Sequence, residues 1–98
     1  MNRDIIWLPE AEKSFNKNIE YLSERWTVQV INNFLDRVDE AIARIAENPY
    51  LYPSHENKED IRKCPITKQI TLYFRILEGR IDLLTFWNNY QDPNKLEL

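Results

Sequence analysis

Ninety-eight residues, 43% hydrophobic and 30% charged, suffice for one core and not for two, so residues 1–98 are read as a single globular domain. The net charge of −3 argues against a generic nucleic-acid binder, and the apolar runs are too short to span a membrane. Cys64 stands alone, which excludes an internal disulfide; with His55 as the single histidine, no metal centre is expected, and nothing calls for a cofactor.

The opening Met-Asn-Arg-Asp runs straight into a strand pattern without a signal-peptide core, so a cytoplasmic location is expected. In residues 3–8 alternation puts Ile5 and Trp7 on one face and Ile6 and Leu8 on the other, a short strand that Pro9 ends. Pro9 suits a first helical turn, where its missing N–H costs nothing, and Glu10 and Glu12 complement the positive end of the helix dipole. Ala11, Phe15, Ile19, Leu22 and Trp26 then recur at steps of three and four, one apolar stripe along a first helix. Thr27 can cap a second helix, whose stripe runs through Ile31, Phe34, Leu35, Val38, Ala41, Ile42 and Ile45 until Asn48-Pro49 stops it. So short a link predicts an antiparallel helical hairpin.

Residues 48–60, rich in proline and tyrosine, read as a loop, with His55 a solvated residue within it. Residues 61–66 read as a strand whose end Pro65 demotes to an edge or bulge. Ile70, Leu72, Phe74 and Ile76 alternate with Thr71, Tyr73, Arg75 and Leu77, the mark of a strand with one core face and one mixed face. Glu78-Gly79 is a hairpin turn, and the apolar run from Ile81 to Trp87 predicts a central strand buried on both faces. The order β-α-α-β-β-β defines an α+β fold, a helical hairpin packed on one face of a small, mainly antiparallel twisted sheet. The other face, carrying Tyr73 and Arg75, is expected to be open. There the arginine stem would lie on an aromatic ring with its head in water.

Charge is uneven along this order. Residues 1–57 hold six basic and ten acidic groups, residues 58–80 six and three, and residues 81–98 one and three. The basic middle would attract a phosphate backbone or an acidic partner; a solvated strand face of mixed charge is the plainer account. The last strand runs into TFWNNYQDP (85–93). There Asn88, Asn89, Gln91 and Asp92 can bond backbone groups left unpaired at the strand end, a polar clasp that leaves Tyr90 and Gln91 available to a partner. Trp7, Trp26 and Trp87 read as packing residues, and Cys64, with no base beside it, as a small buried hydrophobe.

Six blocks in order, WLPEA (7–11), YLSERW (21–26), NPYLYP (48–53), IRK (61–63), LYFRI (72–76) and QDP (91–93), resemble the RelE/ParE toxins of type II toxin–antitoxin systems over nearly the whole chain. The resemblance implies the fold just described and a cognate antitoxin as partner. It also implies one of two activities. RelE-like members enter the 70S ribosome and cleave mRNA with basic and aromatic side chains on the sheet; ParE-like members bind DNA gyrase and need no catalytic constellation. Where RelE-like chains carry an arginine early in the third strand, this chain has Thr71. Where they carry another near the last strand's exit, it has Asn88, Asn89 and Tyr90. An amide supplies no positive charge to a phosphorane-like transition state. A ribonuclease site would have to be assembled from Arg62, Lys63, Lys68, Tyr73, Arg75 and Tyr90, with the four cations on one face; a partner-binding surface would use Arg62, Lys63, Tyr73, Arg75, Tyr90 and Gln91. The expectation is a ParE-like gyrase inhibitor, the alternatives being a ribosome-dependent mRNA endonuclease and a member that binds antitoxin without toxicity.

Overall fold

Stripe and alternation meet in a five-stranded sheet carrying two helices; the computed structural model describes residues 3–98. Strand β1 (Asp4–Trp7) leads into helices α1 (Pro9–Arg25) and α2 (Val28–Glu47). A 3-10 turn (Pro49–Leu51) then precedes β2 (Ser54–His55), β3 (Lys58–Pro65), β4 (Ile70–Leu77) and β5 (Arg80–Asn88), and a second 3-10 turn spans Pro93–Lys95. The strand order is β1-β5-β4-β3-β2, with β1 parallel to β5 and every other pair antiparallel. As its apolar run predicts, β5 lies inside the sheet, and Ile81 through Phe86 are all buried.

Local chemistry sets the ends of these elements. Pro9 occupies the first turn of α1, and the Thr27 side chain caps α2 by accepting from the Val30 N–H at 3.4 Å. Gly79 turns β4 into β5 with φ +77°, a conformation that costs a glycine nothing. The helix stripes bury Ala11, Phe34, Val38, Ala41 and Ile45 against Leu72, Phe74, Ile81, Leu83 and Phe86. Phe15 joins the layers, its ring centroid 5.3 Å from Trp7 and from Phe86. Each such aromatic withdrawn from water contributes about 1.5–3 kcal/mol.

Parallel pairing with β1 reaches only Leu83, which would leave the outer edge of β5 bare beyond that point. Helix α1 finishes it: the Ser14 hydroxyl accepts from the Phe86 N–H at 2.9 Å, and the Asn18 amide donates to the Phe86 carbonyl at 3.2 Å. A backbone edge that could template another strand is thereby satisfied within the chain.

Three expectations need correction. The stretch 48–60 is not all loop: Ser54-His55 forms an edge strand, and β3 starts at Lys58 rather than at 61. Two residues are too few to show a period, and Lys58-Glu59-Asp60 is polar because it lies on an exposed part of the strand. Trp26 does not pack in the hairpin; it follows α1 at its C-cap and is 58% exposed. Nor is the second sheet face open. Ile61, Tyr73 and Leu84 form a buried cluster there, and Leu8, Trp87, Leu96 and Leu98 pack around it, so the chain beyond Pro93 returns across this face.

Candidate functional site

Register decides which predicted side chains meet. Lys63 pairs with Tyr73, Ile61 with Arg75 and Pro65 with Thr71, and these odd-numbered positions share the tail-covered face. Arg62, one residue from Lys63, therefore belongs to the opposite face. Its Nη1 donates to the Tyr52 carbonyl and its Nε to the Glu59 carbonyl, both at 2.9 Å, and its guanidinium stands 5.3 Å from the Tyr50 ring centroid. Arg62 is a brace for the loop before β2. Arg75 shares the face of Tyr73, but its Nε lies 3.3 Å from Asp60 Oδ2, an ion pair whose N–H is not aligned for a hydrogen bond. Lys68 sits in the turn between β3 and β4. The four cations do not converge.

What does converge is a hollow of about 290 Å³ beside Tyr73, lined by His55, Glu56, Tyr73, Trp87, Asn89 and Gln91, with Pro93 and Leu96 of the tail as its remaining wall. No lysine or arginine lines it. His55, expected in solvent, is held by β2 with its side chain only 18% exposed, its ring edge-on to Tyr73 at 5.2 Å. The expectation that the histidine lies away from the strands is overturned by this pairing of β2 with β3.

Glu56 follows in the hairpin turn with φ 52°, a left-handed backbone that a residue with a long side chain occupies at a cost of about 1 kcal/mol. Its carboxylate comes within 3.9 Å of His55 Nε2. Burial first, and then the negative charge of Glu56, hold the Tyr73 phenol above its ordinary value, so it stays a protonated donor. Tyr73 is 8% exposed, and its hydroxyl has no hydrogen-bond partner among the described residues.

The amide cluster does act as a clasp. Asn88 Oδ1 accepts from the Tyr90 N–H at 2.9 Å, and Asn89 links Thr71 Oγ1 (3.0 Å) to the Lys68 carbonyl (3.3 Å). Asp92 Oδ1 accepts from the Asn94 N–H at 3.0 Å, tying the last 3-10 turn. Asn89 thus uses both ends of its side chain, whereas Gln91 and Tyr90 are exposed and Tyr90 is 74% so. Cys64 is buried, and burial raises its thiol above the usual range, which leaves it without a reactive thiolate.

Sequence reasoning named Tyr73 and Gln91 and missed His55, Glu56 and Trp87 as co-lining residues. No local signal pointed to them, because the two-residue strand β2 that carries His55 is too short to show a period.

Two helices on a five-stranded, mostly antiparallel sheet define an α+β fold shared with known toxins. The ParDE system of P. aeruginosa contains a chain that is 9% identical, with 88% of this chain and 95% of that one covered at a TM-score of 0.72. For the YoeB dimer of Staphylococcus aureus the values are 14%, 92%, 100% and 0.63. For the E. coli DinJ-YafQ toxin–antitoxin complex they are 9%, 90%, 93% and 0.61. No curated protein sequence matches the chain. The family described as the ParE toxin of the type II toxin–antitoxin system parDE matches residues 5–93, and the chain belongs to it.

Proposed function

We propose that the protein is a ParE-like toxin that arrests growth by binding DNA gyrase and is neutralised by a cognate antitoxin. One observation carries this reading: the hollow beside Tyr73, where an RNA-cleaving site would need cations, has none, and its only formally charged side chain is Glu56. Stabilising charge on a transferring phosphoryl group takes preorganised cations or donors at hydrogen-bond range, and losing one donor typically costs about 2.7–4 kcal/mol of barrier. A carboxylate in that place raises the barrier further. Arg75 is tied to Asp60 and Arg62 is committed to the opposite face, so neither compensates.

A separate groove of about 250 Å³ between α1, α2 and the β3–β4 turn has an apolar floor of Tyr21, Leu22, Val30 and Phe34 and one cation, Arg37, at its edge, which suits an amphipathic antitoxin segment carrying a carboxylate. The DinJ-YafQ complex pairs a toxin of the same fold with an antitoxin.

The second reading, a ribosome-dependent mRNA endonuclease, draws on one feature, the His55 imidazole beside the Tyr73 phenol in a concave site. An imidazole there could serve as a general base. The test is expression in cells with two readouts. Blocked supercoiling by purified gyrase with DNA damage is expected; mRNA cut at codon positions with supercoiling intact would overturn the gyrase reading, and growth without either effect would mark a member that binds antitoxin alone.

A further inference from the structure

The hollow beside Tyr73 brings aromatic rings and polar side chains together at one concave place on the described surface. Tyr73 is 8% exposed as a residue, and its hydroxyl, with no protein partner among the described residues, is not shut off from solvent and opens to the hollow. The Gln91 amide makes no side-chain hydrogen bond within the described residues. Glu56 keeps a carboxylate at the rim although its backbone conformation would suit glycine or asparagine better. Three of the lining side chains, His55, Tyr73 and Trp87, are aromatic.

A site with aromatic walls, one carboxylate and neutral acceptors, and without a lysine or arginine, is complementary to a cation. It is the opposite of a phosphate site. A guanidinium meets it better than an ammonium, because it is planar, lies against aromatic rings, is weakly hydrated and offers five donors to several acceptors at once. A nucleobase offers the same rings a flat surface but no positive charge to the Glu56 carboxylate, and its phosphates would find Lys63 on this face but Arg75 already paired with Asp60 and a tail that carries Asp92 and Glu97 against Lys95.

We propose that this hollow is a socket for one arginine side chain presented by a protein partner, the guanidinium resting against Tyr73 and Trp87 and donating to Glu56, Gln91 and the Tyr73 hydroxyl. The socket rests on the protein-binding reading above and names the chemistry by which that partner is gripped. It places a single anchor on the tail-covered face, with exposed Tyr90, which lies between the lining residues Asn89 and Gln91 in the chain, as additional contact area.

The test uses the full chain, 15N-labelled, titrated with Nα-acetyl-arginine N-methylamide and, separately, with the lysine analogue, inorganic phosphate and adenosine monophosphate. Trp87 borders neighbouring depressions as well, so occupancy is read where the His55 ring and the Trp87 indole N–H signals move together, while Trp7 and Trp26 serve as controls. The arginine amide should shift the His55 and Trp87 signals together and saturably in the millimolar range, roughly fivefold or more tightly than the lysine analogue. Glu56→Gln should weaken it by a similar factor while the rest of the spectrum stays folded. A Trp87 signal unmoved by the arginine amide, moved without that of His55, or moved more readily by phosphate or the nucleotide, overturns the socket. Failure of the socket in a chain that still blocks gyrase leaves the toxin reading standing; arginine binding in a chain that cuts mRNA leaves the socket standing and removes that reading.

Discussion

On the helix side of the sheet Leu72, Phe74, Ile81 and Leu83 are wholly enclosed by other apolar side chains, whereas on the tail side Tyr73 shares its surroundings with Lys63, Arg75 and Asp82 and borders a hollow. Both faces belong to the same strands, and alternate residues of β4 serve one or the other. Apolar interdigitation accounts for the first face, and a change there reads out as stability. The second face is closed by a thin cover of Leu96 and Leu98 and keeps polar side chains at an open hollow, so a change there should read out as binding. That division can be broken by experiment.

The largest effect should come from Phe74→Ala. Phe74 is completely buried between the helices and β3, edge-on to Tyr52 at 5.9 Å, and its removal leaves a cavity that rigid neighbours cannot fill. A loss of about 3–5 kcal/mol in urea denaturation is expected. Arg75→Ala, one residue further along and on the other face, removes a partly exposed ion pair and should cost no more than about 1 kcal/mol. Equal losses at the two positions would abolish the distinction between the faces.

Next is the edge that α1 finishes. Ser14→Ala deprives the Phe86 N–H of its acceptor without opening a cavity in the core, and leaving a backbone donor unpaired should cost about 1–2 kcal/mol by the same measurement. Ser14→Thr, which keeps the hydroxyl, should recover most of the loss. If Ser14→Ala is neutral, water takes over the bond and the edge is less sealed than its geometry indicates.

How much of this was legible beforehand follows the same division. Periodicity names the helix-side core almost residue by residue, because Leu72, Phe74 and Ile76 alternate and Phe34, Val38, Ala41 and Ile45 share a stripe. Caps and turns were equally readable from Pro9, Thr27 and Gly79, since each residue's own backbone chemistry fixes its place. The tail-side site was not. Tyr73 and Gln91 carry a visible hydrogen-bonding capacity, but the partners that make a hollow of them come from β2 and from the chain after Pro93, through contacts no local pattern encodes. His55 is the clearest case, a residue whose position follows from a two-residue strand pairing across a bulge. The cations misled in the opposite direction: Arg62 and Lys63 are adjacent in sequence and therefore on opposite faces.

A smaller, pH-dependent effect tests how well the tail closes its face. Burial raises the Tyr73 and Tyr52 phenols and the Cys64 thiol above their ordinary values, so the folded chain holds protons that the unfolded chain releases. The stability these groups allow is fully present below the unfolded values and is lost as pH rises, so unfolding free energy should be flat to about pH 8 and fall above about pH 9. Tyr73→Phe should make the alkaline fall shallower. An unchanged profile in that variant would mean the phenol is solvated and the cover open.

The smallest effect on stability should accompany the largest effect on function. Tyr90 is 74% exposed; its backbone N–H, not its ring, is what the clasp holds through Asn88. Replacing it with alanine removes neither a core contact nor a hydrogen bond, so the denaturation midpoint should move by no more than a surface substitution allows, within about 0.5 kcal/mol. An exposed aromatic at the rim of a docking face is, however, the residue type that partner surfaces use for anchoring. Growth arrest by Tyr90→Ala should therefore disappear while the thermal transition stays in place. Retained arrest would assign the ring no share in the interface and leave Gln91 and the hollow to carry it alone.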